Sequence, residues 1–527
     1  MAFGILRKWS SILLSGVLIG MLALFSPHLL NWYSIQSTKP YSGPNCNGTG
    51  QSTICIKLAS ELPEQVYSHQ HPTYNNVLQS YWSENAAEIQ PSCIVRPSSA
   101  ADVSIAIKTL NSGLAAGDDV RFAVRSGGHS PEAGFASITN GVTIDMSLFD
   151  GISVASDKLS ATIGVGARWK NVYSRLEDMD LAMVGGRNAH VGVGGLVLGG
   201  GISFFSPRFG MVCDNVDAYG IVLANSSIIH ATAVSHPDLW RALKGGTGNF
   251  GIVTQVTTKV FPSAHIWSGS AYWLNFQASK VLRAFHSFNQ PSNFDAYAGG
   301  PLTTFAYARD LGLHLVVQQL SYIKPEPWPS VFAPFKAIPW RIRTTLKIQP
   351  LTSATDELHS MAPLGDRQFQ ITLTIKNDLE TMEAMRGIYT EQLKRIKSVE
   401  RSVWALVFQP LSAAMTRKGS PNVLGFGTRH ANDTLIIALL CVSWRDAKDD
   451  ELVEQVSRDV AKLSEDYARE KGTLDPYIYL NYAASGQDVF GGYGEGAKQS
   501  MQEVSTKYDP EGFFQEVKQG GFKLNMY

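Results

Sequence analysis

Neither sign of charge dominates this sequence. Lys+Arg and Asp+Glu each total 45 of 527 residues, so the formal net charge is +0, and charged residues make up only 17% of the chain. A neutral chain generates no long-range field that would concentrate nucleic acid around it or hold it on an anionic membrane. We therefore expect a small molecule as the partner, and no nucleic acid.

Motifs for metals and for nucleotide phosphates are also missing. The sequence contains no CxxC pair, no HExxH and no Gly-Lys-Ser/Thr. These absences exclude the common zinc patterns and the P-loop, and we predict no metal site. One or two disulfides among the first three cysteines would fit an oxidising compartment. The five cysteines are Cys46, Cys55, Cys93, Cys213 and Cys441.

The N-terminus differs from the rest of the chain. Arg7 and Lys8 precede residues 9–30, which contain no Asp, Glu, Lys or Arg. A basic flank before an apolar run is typical of a cleaved signal peptide or of an uncleaved signal anchor, and we predict one of them over residues 1–36. Either form sends the chain into the secretory pathway, secreted or held by a single membrane pass with its catalytic part in the lumen or outside. Three Asn-x-Ser/Thr sequons are predicted glycosylation sites: Asn47, Asn225 and Asn432.

The rest of the chain is too long for one compact core, and changes in its composition suggest boundaries. Residues 37–86 are predicted to be a linker and N-terminal segment, with a polar stalk over 37–60. Short strands, helices and glycine-rich turns alternate over 87–262, which predicts a first domain. Long alternating apolar runs over 263–475 predict a second domain with a large antiparallel sheet covered by helices. Glycines and aromatics return over 476–527, which is predicted to rejoin the first domain. The fold class is α+β.

Local signals predict several individual elements. A strand beginning at Cys93 is followed by a Ser-capped run at helical spacing, which predicts a βαβ unit whose helix ends at Gly113. The residues around Asn225 separate two apolar runs and predict a hairpin turn. Cys213 is interpreted as a buried thiol in a strand.

Three glycine-rich segments carry the chemistry of the first domain. They are residues 125–130 (RSGGHS), 192–201 (GVGGLVLGGG) and 244–253 (KGGTGNFGIV). Glycines permit positive φ and let backbone N–H groups approach an anion closely. Each segment alone is equally typical of tight turns. Three of them in one domain favour a large ligand with phosphates, and a dinucleotide fits best.

Several stretches in a fixed order resemble the berberine-bridge-enzyme-like branch of the vanillyl-alcohol-oxidase flavoproteins, and among them the fungal members of secondary metabolism. These stretches are PSCIVRPSSAADVSIAI, FAVRSGGHS, IDMSLFDGISV, VGVGGLVLGGGISFFSPRFGMVCDNVDAYGIVLAN, HPDLWRALKGGTGNFGIVTQV, YLNYAA and KYDPEGFF. The resemblance implies an FAD-binding domain of the p-cresol methylhydroxylase type in two parts, with a substrate domain beside it.

The resemblance also implies a role for each glycine segment. His129 matches the family's histidyl attachment site, so an FAD bound covalently through one histidine is expected. Four residues are expected to cradle the pyrophosphate: Ser126, Gly127, Gly128 and Ser130. Five glycines are expected to pack against the isoalloxazine and diphosphate: Gly194, Gly195, Gly199, Gly200 and Gly201. Gly251 and Val253 are expected to present backbone to the adenine half.

The chain departs from this family at two positions. Relatives with two covalent bonds carry a cysteine where this chain has Asn188, so a single bond is expected. Plant relatives use a glutamate as base where this chain has Gln409, and an amide does not accept a proton at neutral pH. The remaining candidate base is Tyr482, because a phenol can serve if a neighbouring cation or the flavin helps it to ionise. Asn481 is expected to hydrogen-bond the flavin ring.

Together these inferences predict an FAD-dependent oxidase. It would take a proton from a small organic substrate, pass a hydride to flavin N5 and use O2 to regenerate the flavin with release of H2O2. The expected substrate is an apolar or polyketide-like metabolite of fungal secondary-metabolite biosynthesis. Three alternatives stay open: an oxidase of carbohydrates or other alcohols, a flavin-containing cyclase or isomerase without net redox change, and a non-catalytic flavin-binding protein.

Overall fold

Three β-sheets organise the chain in the computed structural model, which describes residues 52–263, 265–362, 364–417, 421–426 and 434–525. The predicted signal segment and the sequons at Asn47 and Asn432 lie outside these residues. No helix within them is long and apolar enough to cross a membrane.

The strands of the described residues are β1 (Val66–Tyr67), β2 (Cys93–Val95), β3 (Phe122–Arg125), β4 (Val142–Asp145), β5 (Ile152–Val154), β6 (Ser160–Gly164), β7 (Leu181–Met183), β8 (Val216–Val222), β9 (Ile228–Thr232), β10 (Ile252–Pro262), β11 (Ile266–Leu274), β12 (Leu302–Ala308), β13 (Leu313–Tyr322), β14 (Arg343–Thr344), β15 (Lys347–Gln349), β16 (Arg367–Lys376), β17 (Val403–Leu411), β18 (Leu435–Trp444) and β19 (Leu474–Asp475).

Their α-helices are α1 (Thr53–Glu61), α2 (Pro72–Gln79), α3 (Glu84–Ala87), α4 (Ala100–Ala115), α5 (Trp169–Glu177), α6 (Val193–Leu198), α7 (Ser206–Phe209), α8 (Pro237–Ala242), α9 (Ala278–Phe288), α10 (Ala333–Lys336), α11 (Leu351–Ser360), α12 (Leu379–Gln392), α13 (Ala413–Arg417), α14 (Asp450–Glu470), α15 (Val489–Gly492) and α16 (Glu495–Tyr508).

The first sheet contains the predicted βαβ unit. Its order is β1-β2-β4-β3, and both β2 and β3 run parallel to β4. Helix α4 begins at a capping box in which Ser99 and Asp102 exchange side-chain-to-backbone hydrogen bonds, as the Ser signal predicted. The helix continues to Ala115, past its predicted end. A Cβ on Gly113 would lie 2.7 Å from Ile54 Cδ1, so this glycine permits helix packing and does not end the helix.

Helix α1 lies where a linker was predicted. It buries Ile54, Cys55 and Leu58, and Cys55 forms a disulfide with Cys93, with 6.1 Å between the Cα atoms. The disulfide prediction is confirmed, whereas the linker prediction is wrong from Thr53 onward. The linker was predicted because polar residues dominate the composition of residues 37–60. Three buried side chains on one face are nevertheless enough to attach a short helix to a core.

The second sheet is antiparallel, with the order β5-β6-β10-β8-β9 and β7 beside β10. Strands β8 and β9 form the predicted hairpin, and Asn225 at its turn is exposed, as a glycosylation site requires. Cys213 is buried as predicted but lies in a 3-10 turn, Cys213–Asn215, that leads into β8. The prediction of a strand at Cys213 is therefore wrong.

The third sheet is the predicted large antiparallel sheet. Its order is β14-β11-β13-β12-β17-β18-β16-β19, with β15 beside β11. Helices α9, α12 and α14 pack against its strands or against one another. Helix α14 buries Val453, Val456 and Val460, whose spacing places them on one face of the helix.

Two hydrophobic cores accompany these sheets. One contains residues of the first two sheets together with Tyr477, Phe490, Phe513 and Phe514 of the C-terminal segment. The other lies between the third sheet and its helices. Residues 51–527 nevertheless form one compact unit. The C-terminal segment thus packs with the core of the first two sheets. The exact domain boundaries stay a prediction.

Removal of the disulfide should lower stability. The Cys55→Ser/Cys93→Ser variant should lose about 3–4 kcal/mol of unfolding free energy, because the bond closes a loop across a sequence separation of 38 residues and restricts the unfolded chain. Urea unfolding measures this. A phosphine reductant should bring the wild-type midpoint down to that of the double variant and leave the double variant's own midpoint unchanged. Equal wild-type midpoints with and without reductant would contradict the expectation.

Candidate functional site

The loop after β3 packs against the buried guanidinium of Arg125. Arg125 forms an ion pair of 3.1 Å with Asp145 and lies over the ring of Tyr81, 4.4 Å from its centroid. Gly128 has a φ of +61°, and a Cβ there would lie 2.6 Å from Arg125 Nε. The N–H of Trp82 donates to the Gly128 carbonyl at 2.9 Å. This turn therefore requires glycine, both for its backbone conformation and for the close approach of Arg125.

His129 follows that turn with one ring nitrogen unused. Its ring stacks on Trp82, with centroids 4.4 Å apart and planes inclined by 11°. Its Nε2 is buried and has no hydrogen-bond partner among the described residues. Burial, assisted by the charge of Arg168, lowers the pKa of His129 to about 3. The imidazole is therefore neutral near pH 7, and a neutral imidazole retains the lone pair that a nucleophile needs.

The first two glycine segments touch through their backbones. A Cβ on Gly127 would lie 2.6 Å from the Cα of Gly192, and a Cβ on Gly192 would lie equally close to Gly127. Gly195 is exposed, and a Cβ there would meet no atom within 4 Å. The segments thus form a close backbone contact with open space beside Gly195.

Three of the predicted cofactor residues hydrogen-bond within the protein. The Ser126 hydroxyl donates to the Val165 carbonyl at 2.6 Å, and the Gly194 N–H donates to the same carbonyl at 3.1 Å. The Ser130 hydroxyl oxygen accepts from the Glu132 N–H at 3.3 Å. These bonds hold the two glycine segments in position.

Asn481 ties the C-terminal segment to the second glycine segment. Its Nδ2 donates to the carbonyls of Leu196 at 3.2 Å and Gly199 at 3.3 Å. A Cβ on Gly199 would lie 2.3 Å from Asn481 Oδ1, and Gly200 and Gly201 have φ values of +97° and +79°. The amide nitrogen thus bonds to protein backbone, and the expected bond to a flavin ring stays a prediction.

Gly251 and Val253 lie at the start of β10. Val253 pairs with Ile221 of β8, and a Cβ on Gly251 would lie 2.6 Å from the Val222 carbonyl oxygen. Both residues are therefore packed against β8. Their predicted contact with an adenine stays a prediction.

Tyr482 lies beside a cation, as a phenolic base requires. Arg187 Nη2 donates to the Tyr482 hydroxyl at 3.0 Å and to Gln409 Oε1 at 2.7 Å. The Tyr482 hydroxyl donates to the same Oε1 at 3.1 Å. Arg187 was not predicted from the sequence, although an arginine directly after Gly185 and Gly186 and just before the second glycine segment was a usable signal.

A cavity of about 450 Å³ adjoins this cluster and is lined in part by Arg187 and Gln409. Much of the remaining lining is apolar. It includes Ile202, Pro207, Phe288, Pro291, Phe294, Ala298, Pro410 and Met415. A pocket of this size and character suits a small apolar molecule that is oriented by a few polar groups.

A histidine pair lies on the other side of the second glycine segment. The rings of His190 and His359 stack with centroids 3.7 Å apart and planes inclined by 4°, and an Arg168 N–H donates to the His190 carbonyl. Burial, with the neighbouring His359 contributing, lowers the pKa of His190 to about 4, and burial also lowers the pKa of His359. This neutral pair attaches the glycine segment to α11. No sequence signal linked the two positions.

Comparison with known proteins shows the family of the chain. Residues 91–232 match the FAD binding domain family. The chain is 32% identical over 497 residues to the FAD-dependent monooxygenase drtC of Aspergillus calidoustus, covering 93% of this chain and 94% of the relative. It is also 34% identical to the FAD-dependent monooxygenase sdcF of Emericella nidulans, covering 90% and 99%.

The chain belongs to this family of FAD-dependent monooxygenases and oxidoreductases. Among solved structures, the flavoenzyme is similar to wild-type BBE-like 1 of Physcomitrella patens, with a TM-score of 0.69 at 19% identity, covering 88% of this chain and 99% of that one. The resemblance to FAD-linked oxidoreductases is confirmed by these relatives, and the solved structure confirms the fold of the berberine-bridge-enzyme-like branch and the α+β fold class. So is the prediction of an FAD-linked enzyme.

The residues of the flavoenzyme fit an FAD group. The backbones at Gly127 and Gly192 approach each other too closely for either residue to carry a Cβ, and Gly195 borders open space. His129 keeps a buried Nε2 that has no hydrogen-bond partner among the described residues. FAD would therefore be held along these two glycine segments. Arg187 lines the cavity and donates to the Tyr482 hydroxyl.

The close glycine contact should be intolerant of side chains. Gly127→Ala should lower the unfolding free energy by roughly 1–3 kcal/mol, since the backbone of Gly192 cannot move aside as a flexible side chain would. The bound flavin per protein should fall with it. Urea unfolding and the flavin-to-protein absorbance ratio measure the two effects.

Gly387→Ala is the matched control. Gly387 is exposed in the middle of α12, and its Cβ would meet nothing within 4 Å. This variant should keep its flavin and gain up to about 1 kcal/mol. Equal stability and flavin content in the Gly127 variant and the wild type would refute the close contact.

Proposed function

We propose that this flavoenzyme is an oxidase of a small apolar metabolite of fungal secondary metabolism, with FAD attached to His129, Tyr482 as base and O2 as final acceptor. The hydrogen-bonded cluster of Arg187, Gln409 and Tyr482 beside an apolar cavity carries this proposal. Arg187 and Gln409 line the cavity, and both are hydrogen-bonded to the Tyr482 hydroxyl, so a cation and a phenol lie at the edge of a space for the substrate.

Tyr482 would take the proton and Arg187 would stabilise the resulting charge. When bound, FAD supplies the acceptor for the electron pair that leaves the substrate, and O2 regenerates it with release of H2O2. A guanidinium N–H stabilises a phenolate by a charge-assisted hydrogen bond, so the contact of 3.0 Å with Arg187 favours Tyr482 as a base for an alcohol or an activated C–H. Gln409 cannot take that proton, and its Oε1 holds the Tyr482 hydroxyl in position.

Attachment through one histidine is supported by the state of His129. Covalent bond formation needs an unprotonated nitrogen that no other group occupies, and His129 combines a lowered pKa with a buried, unpartnered Nε2. Asn188 has no thiol with which to form a second bond. Its Oδ1 instead accepts from the His190 N–H at 3.0 Å.

A denaturing gel tests the attachment without any substrate. Flavin fluorescence should migrate with the wild-type polypeptide and vanish from His129→Ala, while a peptide digest should show unmodified Asn188 by mass. His190→Ala removes an imidazole from the neighbouring glycine segment and should keep the fluorescence. A wild-type band without fluorescence would refute covalent attachment, and a colourless native protein would refute the flavoenzyme function itself.

Substitution of the phenol should slow substrate oxidation. Tyr482→Phe should reduce the rate of O2 consumption by about 10²-fold or more, the range of general-base catalysis, with the flavin content unchanged. Tyr479→Phe, whose ring lies 4.8 Å from that of Tyr482, should stay within several-fold of the wild type. The assay uses the alcohol that bleaches the enzyme's flavin fastest in an anaerobic screen. Unchanged turnover in Tyr482→Phe would exclude this tyrosine as the base, and product formation without O2 uptake would favour a cyclase or isomerase.

The relatives' names favour a second candidate function. Both are called monooxygenases, which place one oxygen atom of O2 in the product. Isotopically labelled O2 separates the two reactions. An oxidase releases all the label as H2O2, and a monooxygenase retains half of it in the product.

The lining of the cavity supports an apolar substrate over a sugar. A sugar presents hydroxyls on every side and needs several converging donors and acceptors, whereas the polar lining here interrupts a surface of Phe, Pro, Ile and Met side chains. Entry into the secretory pathway is a further proposal, supported by the Cys55–Cys93 disulfide and by the exposed sequon at Asn225. Disulfides persist in that compartment.

A further inference from the structure

Arg187 is a cation without an anionic partner among the described residues. Its hydrogen bonds go to two neutral groups, Gln409 Oε1 and the Tyr482 hydroxyl, and both use Nη2. No described carboxylate lies within ion-pair distance of Arg187. Its Nε and Nη1 therefore retain donors in a half-buried position on the wall of the cavity, where an anionic oxygen would accept from them in charge-assisted hydrogen bonds.

The neighbouring amide leaves a second donor unused. Gln409 is only 2% exposed, and its Nε2 is buried without a partner. The orientation of the amide is fixed, because its oxygen accepts from both Arg187 and Tyr482, and a flipped amide would set NH2 against a guanidinium. The unpaired end of Gln409 is therefore a donor, and it calls for an acceptor.

Other polar side chains of the cavity are bonded within the protein. Asn289 Nδ2 donates to the Phe285 carbonyl at 2.9 Å, the Asp295 carboxylate accepts from the Tyr322 hydroxyl at 3.2 Å, and Arg417 Nε donates to a carbonyl of its own helix. Among the described lining residues, Gln409 Nε2 is the one buried polar side-chain atom without a partner, and it lies beside the free donors of Arg187 and near Tyr482.

We propose that Arg187 and Gln409 bind a negatively charged oxygen of the substrate, so that the substrate is an apolar molecule carrying a carboxylate, enolate or phenolate. This inference rests on the proposed function and names its substrate class. The anionic oxygen anchors one end of the molecule, and the apolar lining receives its body. A neutral alcohol or a sugar would bring no negative charge to the guanidinium of Arg187.

Binding of matched probes to the purified holoenzyme tests this anchor. 2-Naphthoate carries a carboxylate, and 2-naphthamide has nearly the same shape without the charge. The wild type should bind the carboxylate at least about tenfold more tightly, since a charge-assisted hydrogen bond contributes more than 1 kcal/mol. 4-Nitrophenolate, bound above the pH at which it ionises, measures the same preference for a phenolate. Tryptophan quenching reports binding whether or not flavin is present.

Three variants of the anchor make the result specific. Gln409→Glu is isosteric and places a carboxylate against Arg187, so it should abolish the preference for 2-naphthoate while binding of 2-naphthamide stays nearly constant. Arg187→Met should do the same, and Arg187→Lys should restore part of the preference. Arg417→Met removes another arginine of the same lining and should keep the preference.

Two results would overturn the inference: equal wild-type affinity for 2-naphthoate and 2-naphthamide, or a preference that survives in both Gln409→Glu and Arg187→Met. Either result on a yellow, flavin-containing protein leaves the proposed oxidase intact. A colourless protein that keeps the anion preference would refute the oxidase and retain the anchor.

Discussion

The close contact of two peptide backbones at Gly127 and Gly192 is the constraint on which the site depends. At this separation neither residue can carry a Cβ, so the loop after β3 and the segment before α6 approach more closely than side chains would permit. Ser126 and Gly194 secure the contact through one shared carbonyl, that of Val165. His129 follows directly in the chain. The turn at Gly128 accepts a hydrogen bond from the Trp82 N–H and places the His129 ring on the Trp82 ring.

Much of this arrangement was visible in the sequence where the signal was local. Strand alternation predicted the large antiparallel sheet, the Ser99 cap predicted α4, and three glycine segments predicted a dinucleotide cradle. Composition did not predict the helix over Thr53–Glu61, because its few buried apolar residues stand among polar neighbours in the sequence. The prediction that α4 ends at Gly113 was also wrong. This position is a glycine because the side chain of Ile54, a residue distant in the sequence, packs against it.

The cluster around Tyr482 could not be derived in that way. Its three members, Arg187, Gln409 and Tyr482, come from a loop after β7, from strand β17 and from the C-terminal segment. No spacing rule joins positions so far apart, because each lies on a different element and they meet only in the folded chain. The resemblance placed Gln409 at the position of the plant relatives' glutamate and left Tyr482 as the candidate base. Arg187 belonged to no recognised motif and needed the folded chain to reveal its partners.

The route of the C-terminal segment also sets an order of events during synthesis. Asn481 and Tyr482 leave the ribosome after the last strand, β19, yet Asn481 bonds to carbonyls of the second glycine segment and Tyr482 completes the polar cluster. The early half of the nascent chain can form its sheets before this point. The polar cluster around Tyr482, however, is complete only after the strands of all three sheets have been synthesised, so a product terminated before Asn481 would keep those strands and lack the cluster.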